Sequence, residues 1–189
     1  MNAETIRKLA TAGAVLGFGM AALAGAMLLF QGGEGAVRSP LGRFVAAERP
    51  LADFAFSDGA GKSVRLADFT GKVVLLNLWA TWCAPCIKEM PSLDRLQTDL
   101  GGPDFQVLAV AQDRGGAAVV LPFLEKLGIK ALAPYLDAPA AAGKILGVQG
   151  LPTSILIGRD GREIARLLGG ADWDSPAVRR QIAEARGRS

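Results

Sequence analysis

Hydrophobic and polar positions change period several times along this chain, and each change marks an element. From Lys72 to Ala80 the sequence KVVLLNLWA is apolar on both faces, which predicts a buried central strand. From Cys83 to Leu100 the spacing turns helical, with Ile87, Met90, Leu93, Leu96 and Leu100 predicted to face the sheet and Lys88, Asp94, Arg95 and Asp99 to face water. Pro91 interrupts that helix and predicts a kink, and Gly101-Gly102-Pro103 stops it. Upstream, Leu51–Phe56 and Ser63–Leu66 read as short strands joined by Asp58-Gly59-Ala60-Gly61, followed by one helical turn at Ala67-Asp68-Phe69.

Downstream, Phe105–Ala111 is a second apolar strand, followed by a helix over Ala117–Leu127 that carries Pro122 and is closed by Gly128. A short strand within Ala131–Leu136 and a short helix over Ala140–Leu146 come next. Strands Ser154–Ile157 and Arg162–Leu168 then flank a Gly158-Arg159-Asp160-Gly161 turn, and a last helix covers Ser175–Ala185. Strand and helix alternate and the chain then closes on a hairpin, which predicts an α/β fold with a mixed central sheet flanked by helices.

The N-terminal pattern differs. Leu9–Phe30 contains no charge, and at helical rise it spans about 30 Å, enough to cross a bilayer. Arg7 and Lys8 precede it and no basic residue follows until Arg38, so the positive-inside bias orients residues 1–8 to the cytoplasm and the rest outward. The competing reading is a cleaved signal peptide with Ala24-Gly25-Ala26 at the cleavage site. Both readings export the remainder of the chain. Residues 31–49 are glycine-rich and weakly patterned, as suits a flexible tether, and leave residues 50–189 as one globular domain.

Composition removes several classes of function. The 21 basic and 18 acidic residues are mixed along the chain, without the clustering a nucleic-acid surface needs. With no histidine and two cysteines, His-based acid–base pairs, haem attachment and ordinary zinc or copper sites are excluded, and no cofactor or metal is expected. The two cysteines lie in Cys83-Ala84-Pro85-Cys86, at the predicted helix start. A bridge across so short a loop removes little entropy from the unfolded chain, so thiol exchange is favoured over stapling. At a helix N-terminus the free N–H groups and the dipole favour a thiolate at Cys83. Cys83 is therefore read as the attacking thiol, Cys86 as the resolving one, and Trp82, Ala84 and Pro85 as their immediate surroundings. Trp79 is expected in the core, while Trp82 is open to either packing or substrate contact. Pro152 is read two ways: as an edge marker, or as a cis-proline that offers the Leu151 backbone to an extended substrate.

WATWCAPCIKEMP, the preceding strand, GVQGLPTSILI and GRDGREIARLLG together resemble the membrane-anchored thioredoxin-like proteins of the TlpA, ResA and CcmG group. The Gly169-Gly170-Ala171-Asp172-Trp173 stretch is most similar to TlpA. The resemblance implies a thioredoxin fold with an extra N-terminal hairpin, a redox-active Cys83–Cys86 disulfide and a cis Pro152. It also implies a single-pass anchor in the bacterial inner membrane, with the catalytic domain in the periplasm. Its implied clients are disulfides of apocytochrome c or of copper-site assembly proteins, and its implied electron donor is a membrane protein of DsbD/CcdA type. Two positions bear on proton handling. Asn77 replaces the buried aspartate of thioredoxins, and an amide cannot accept a proton from the resolving cysteine. Glu89 reads from pattern alone as a solvated surface charge, whereas the resemblance makes it a carboxylate near the pair that exchanges protons with Cys86. A peroxiredoxin-type peroxidase, a copper chaperone and a redox-silent binding module are the rival readings.

Overall fold

The computed structural model describes residues 45–187. The predicted anchor and most of the tether lie outside the described residues, and no helix within them is long and apolar enough to cross a membrane. Eight strands form one mixed sheet: β1 (Val45–Pro50), β2 (Ala55–Asp58), β3 (Ser63–Arg65), β4 (Val73–Trp79), β5 (Phe105–Ala111), β6 (Tyr135–Leu136), β7 (Thr153–Ile157) and β8 (Arg162–Leu168). Four α-helices accompany it: α1 (Ala84–Leu100), α2 (Ala117–Lys126), α3 (Ala141–Ile145) and α4 (Pro176–Gly187). The strand order is β1-β8-β7-β4-β5-β6-β2-β3. The neighbours β4–β5 and β5–β6 are parallel, and β7 runs antiparallel to β4. The fold is thioredoxin-like, and the β2–β3 hairpin pairs with β6 at one edge.

β4 is buried along its whole length, as its unbroken apolar run requires. Its side chains alternate between the two faces. Val73, Leu75 and Trp79 join Met90, Leu93 and Leu96 of α1 and Val178 and Ile182 of α4. Val74, Leu76 and Leu78 join Phe54, Phe56 and Leu66 of the N-terminal segment and Ala142 beside Leu146 at α3.

Three local expectations are corrected. Residues 45–49, placed in the tether, belong to β1, which pairs antiparallel with β8. Only its backbone pairing defines that strand, because its sequence VAAERP has neither alternation nor an apolar run. The first hairpin strand begins at Ala55, not at Leu51. Asp94 does not simply face water: its Oδ1 accepts the backbone N–H groups of Lys130, Ala131 and Leu132 at 3.1, 2.7 and 3.0 Å, tying α1 to the segment after α2.

Candidate active site

Register gathers the site at one end of the sheet. β4 ends at Trp79 opposite Ala111 of β5, and Leu78 pairs with Thr153 of β7. Thr153 in turn pairs with Leu168 of β8. The segments 80–86, 112–116, 150–152 and 169–173 therefore all leave the sheet at the same end. The Trp79 carbonyl accepts the Gln112 N–H at 2.8 Å and the Pro152 carbonyl accepts the Gly169 N–H at 2.8 Å, which holds these segments side by side.

Cys83 is the N-cap of α1, and Pro85 occupies its first turn, where its missing N–H leaves no intrahelical bond unmade. Cys83 and Cys86 are joined in a disulfide. Cys86 is fully buried, while Cys83 retains 6% of its surface, so Cys83 is the more accessible residue of the pair by a narrow margin and not an openly exposed one. Trp82, beside it, is 71% exposed, which removes the packing alternative. Ala84 and Pro85 are exposed as well. Trp79 lies in the core as expected, at 6.2 Å between ring centroids from Phe123. The Leu151–Pro152 peptide bond is cis, and Leu151 packs against both core clusters.

Glu89 is buried in α1, which excludes the solvated-face reading. Its Oε1 accepts the Asn77 Nδ2–H at 2.8 Å. Its Oε2 accepts the Trp173 indole N–H at 2.7 Å and the Ala171 backbone N–H at 3.1 Å. Burial pushes the carboxyl above its ordinary 4.5, against the opposing pull of the donors from Trp173, Asn77 and Ala171. Glu89 and Cys86 are three residues apart on α1, one turn, so the buried carboxyl and the resolving sulfur share a side of the helix. Asn77 also donates to Ser154 Oγ at 2.9 Å, and its own Oδ1 has no hydrogen-bond partner among the described residues.

Several supporting residues were not singled out from sequence. Thr81 donates its hydroxyl to Asp113 Oδ1 at 2.6 Å and its backbone N–H to Oδ2 at 3.0 Å, which fixes the turn just before Trp82 and Cys83. The only sequence signal for this is a polar stretch opening directly after the apolar β5. Ser92 donates to the Glu89 carbonyl at 2.8 Å and accepts the Trp173 N–H at 3.1 Å. Gly170 fits because it lacks a side chain: a Cβ there would lie 3.3 Å from the Pro85 carbonyl oxygen and 3.4 Å from Glu89 Oε2. No group of residues able to hold a metal ion occurs among the described residues.

The arrangement can perform reversible two-electron exchange between its own cysteine pair and another disulfide. Residues 46–182 match the redoxin family profile. The thiol-disulfide oxidoreductase ResA of Bacillus anthracis is 36% identical over 120 residues, an alignment covering 62% of this chain and 66% of ResA, just under two thirds of its length. ResA of Geobacillus thermodenitrificans is 35% identical over 118 residues, covering 62% of this chain and 67% of its own. Among solved structures, a Chlorobium tepidum protein assigned as the thiol:disulfide interchange protein DsbE superposes with a TM-score of 0.67 at 32% identity, covering 75% of this chain and 99% of that one. The exposed lipoprotein thioredoxin Etrx1 of Streptococcus pneumoniae gives 0.60 at 28% identity, covering 70% and 99%.

Proposed function

The chain belongs to the redoxin family, as a thioredoxin-like member of the TlpA, ResA and CcmG type, and on that premise we propose that it is a thiol:disulfide oxidoreductase that reduces disulfides of exported proteins. The observation that carries this reading is the Cys83–Cys86 pair at the start of α1, with Cys83 the less buried residue of the two and the carboxyl of Glu89 buried one turn beyond Cys86.

In the reducing direction the Cys83 thiolate attacks one sulfur of the client disulfide, and the departing client sulfur takes up a proton. Cys86 passes its proton to the Glu89 carboxylate and attacks Cys83 Sγ as a thiolate; the second client sulfur leaves and is protonated in turn as Glu89 gives that proton up. The client gains two electrons and two protons, and the chain is left as the Cys83–Cys86 disulfide. A dithiol donor must reduce that disulfide before the next cycle. Reduction is favoured over oxidation because Ala84-Pro85 lacks the histidine of strongly oxidising pairs and stays close to thioredoxin's Gly-Pro.

The apolar run 9–30 with Arg7 and Lys8 before it supports a periplasmic domain anchored in the inner membrane. Anchoring would concentrate the pair near a membrane donor of DsbD/CcdA type and near membrane-bound clients. Resemblance to the ResA and CcmG group supports clients in cytochrome c or cytochrome oxidase maturation. Equilibration of the Cys83–Cys86 pair against glutathione tests the direction: a potential nearer thioredoxin's roughly −270 mV than DsbA's roughly −120 mV is expected, and a value near the latter overturns it. A Cys86→Ser chain, unable to resolve the mixed disulfide, should accumulate covalent adducts with its clients and so name them.

A further inference from the structure

A groove of about 740 Å³ opens beside the cysteine pair, its walls including Trp82, Leu151, Val119, Arg114 and Lys144. Trp82 adjoins Cys83 in the chain and Leu151 adjoins Pro152, so the groove is walled by the immediate chain neighbours of the attacking cysteine and of the cis-proline. We propose that this groove selects clients that carry a carboxylate side chain next to the disulfide cysteine, with Arg114 and Lys144 as the specificity-determining residues. The proposal rests on the oxidoreductase reading above and narrows its substrates.

Charge is the first support. Arg114 and Lys144 are exposed, and neither side chain has an ion-pair or hydrogen-bond partner among the described residues. Arg49, Arg65, Arg95, Arg159, Arg162, Arg166, Arg179 and Arg186 all donate to a carboxylate or a carbonyl, whereas Arg180, Lys62, Lys88, Lys126 and Lys130 are as free as Arg114 and Lys144; what sets Arg114 and Lys144 apart is that both line the groove. The groove's one carboxylate, Asp113, is held by Thr81 and forms no ion pair with either cation, so two positive charges face one negative charge in the groove. The rim therefore presents two uncommitted cations to an incoming chain.

Apolar surface is the second. Trp82 and Val119 are exposed large hydrophobic residues lining the groove, and Ile145 directly follows Lys144. Leu168, also exposed, reaches within 3.6 Å of where a Gly150 side chain would begin. Uncovered apolar side chains thus gather where the cations are, the composition of a recognition surface and not of a solvated one. The backbone N–H and C=O of Leu151 make no hydrogen bond among the described residues, so an extended client segment can pair with them while its side chains alternate into the groove.

The test uses the reduced chain and three peptides closed by an internal disulfide, identical except for Asp, Ser or Lys beside one cysteine. Second-order rates should fall in the order Asp, Ser, Lys, with about a three- to tenfold spread at low salt for two solvent-facing contacts, narrowing as salt is added. Arg114→Glu with Lys144→Glu should invert the order, and Arg114→Gln with Lys144→Gln should flatten it. Lys62→Glu with Arg180→Glu changes the net charge equally at exposed positions outside the groove and should keep the wild-type order. Equal wild-type rates for all three peptides overturn the proposal, as does loss of the order in the distant control to the same extent as in the groove variants. Failure to react with any peptide or with a small neutral disulfide overturns the oxidoreductase reading, and the selectivity with it.

Discussion

Trp173 donates its indole N–H to the buried carboxylate of Glu89 at 2.7 Å. This bond joins the chain after β8 to the first turns of α1. The backbone N–H of the same tryptophan meets Ser92 Oγ, so Trp173 is held on α1 at two points. The segment from Gly169 to Trp173 is therefore part of the active-site wall, and Glu89 is both a titrating group near Cys86 and the anchor for that wall.

Because burial raises the Glu89 pKa above 4.5, the native state holds this proton to higher pH than the unfolded chain does. The stability this gives is fully present below about pH 4.5 and is lost as pH rises through the higher native value. Glu89→Gln is neutral throughout. Denaturation of both proteins across about pH 4 to 8 should show the wild-type advantage shrinking as pH rises; a constant difference would contradict this sign. The variant can keep its packing, because the unpartnered Asn77 Oδ1 can turn to accept the new amide N–H. Its pH profile for disulfide reduction should be flatter than wild type, and an unchanged profile would remove Glu89 from the proton route.

Much of this was legible in sequence. The boundaries of β5 and β8 and the cysteine turn followed from period changes and punctuation, signals that act locally. What was hidden depends on distant partners. The pattern placed Glu89 and Asp94 on a wet face because helical periodicity knows only its own helix. The segments that cover them, 169–173 and 130–132, arrive from far along the chain. β1 was missed for the same reason: an edge strand with no apolar alternation is defined by its neighbour β8.

Asn77 lies 2.8 Å from a Glu89 oxygen, so Asn77→Asp sets two carboxyl groups against each other in a buried site. One must stay protonated, and its pKa will be raised well above the ordinary range. A raised pKa again means stability lost with rising pH. The variant should be less stable than wild type by about 2 kcal/mol near pH 8 and should recover much of that near pH 5, read by urea unfolding at both pH values. A loss independent of pH would show that the two groups do not titrate as a pair.

Thr81 ties the cysteine turn to Asp113 through its hydroxyl at 2.6 Å. Thr81→Val removes that donor from a nearly buried carboxylate and should cost about 1–2 kcal/mol. Disulfide exchange should slow as well, because the Cys83 N–H bonds to the Ala80 carbonyl within the same turn. Thr81→Ser retains the hydroxyl and should restore both properties. An unimpaired Thr81→Val, or a Thr81→Ser impaired while Thr81→Val is not, would assign the role to the methyl group and not to the hydroxyl.

Glu163 is another buried carboxylate, with the opposite titration to Glu89. Burial alone would raise its pKa, but donors and positive charge from Arg166 and Arg49 outweigh that and hold it below 4.5. Its oxygens accept Arg166 Nε at 2.8 Å and Nη2 at 2.9 Å, and Arg49 Nε at 2.9 Å. Arg49 is on β1 and Glu163 on β8, so this cluster reinforces the edge pairing. A lowered pKa gives stability that is present above about pH 4.5 and lost as pH falls through the native value. Glu163→Gln should therefore cost about 1–2 kcal/mol at neutral pH, a figure kept small because Arg49 is half exposed, and the cost should fade on acidification. Amide exchange should quicken selectively along β1 and its β8 partners, since the lost contacts are those that hold the edge strand. Uniform quickening across the sheet would instead mean that Glu163 supports the whole fold and not that edge.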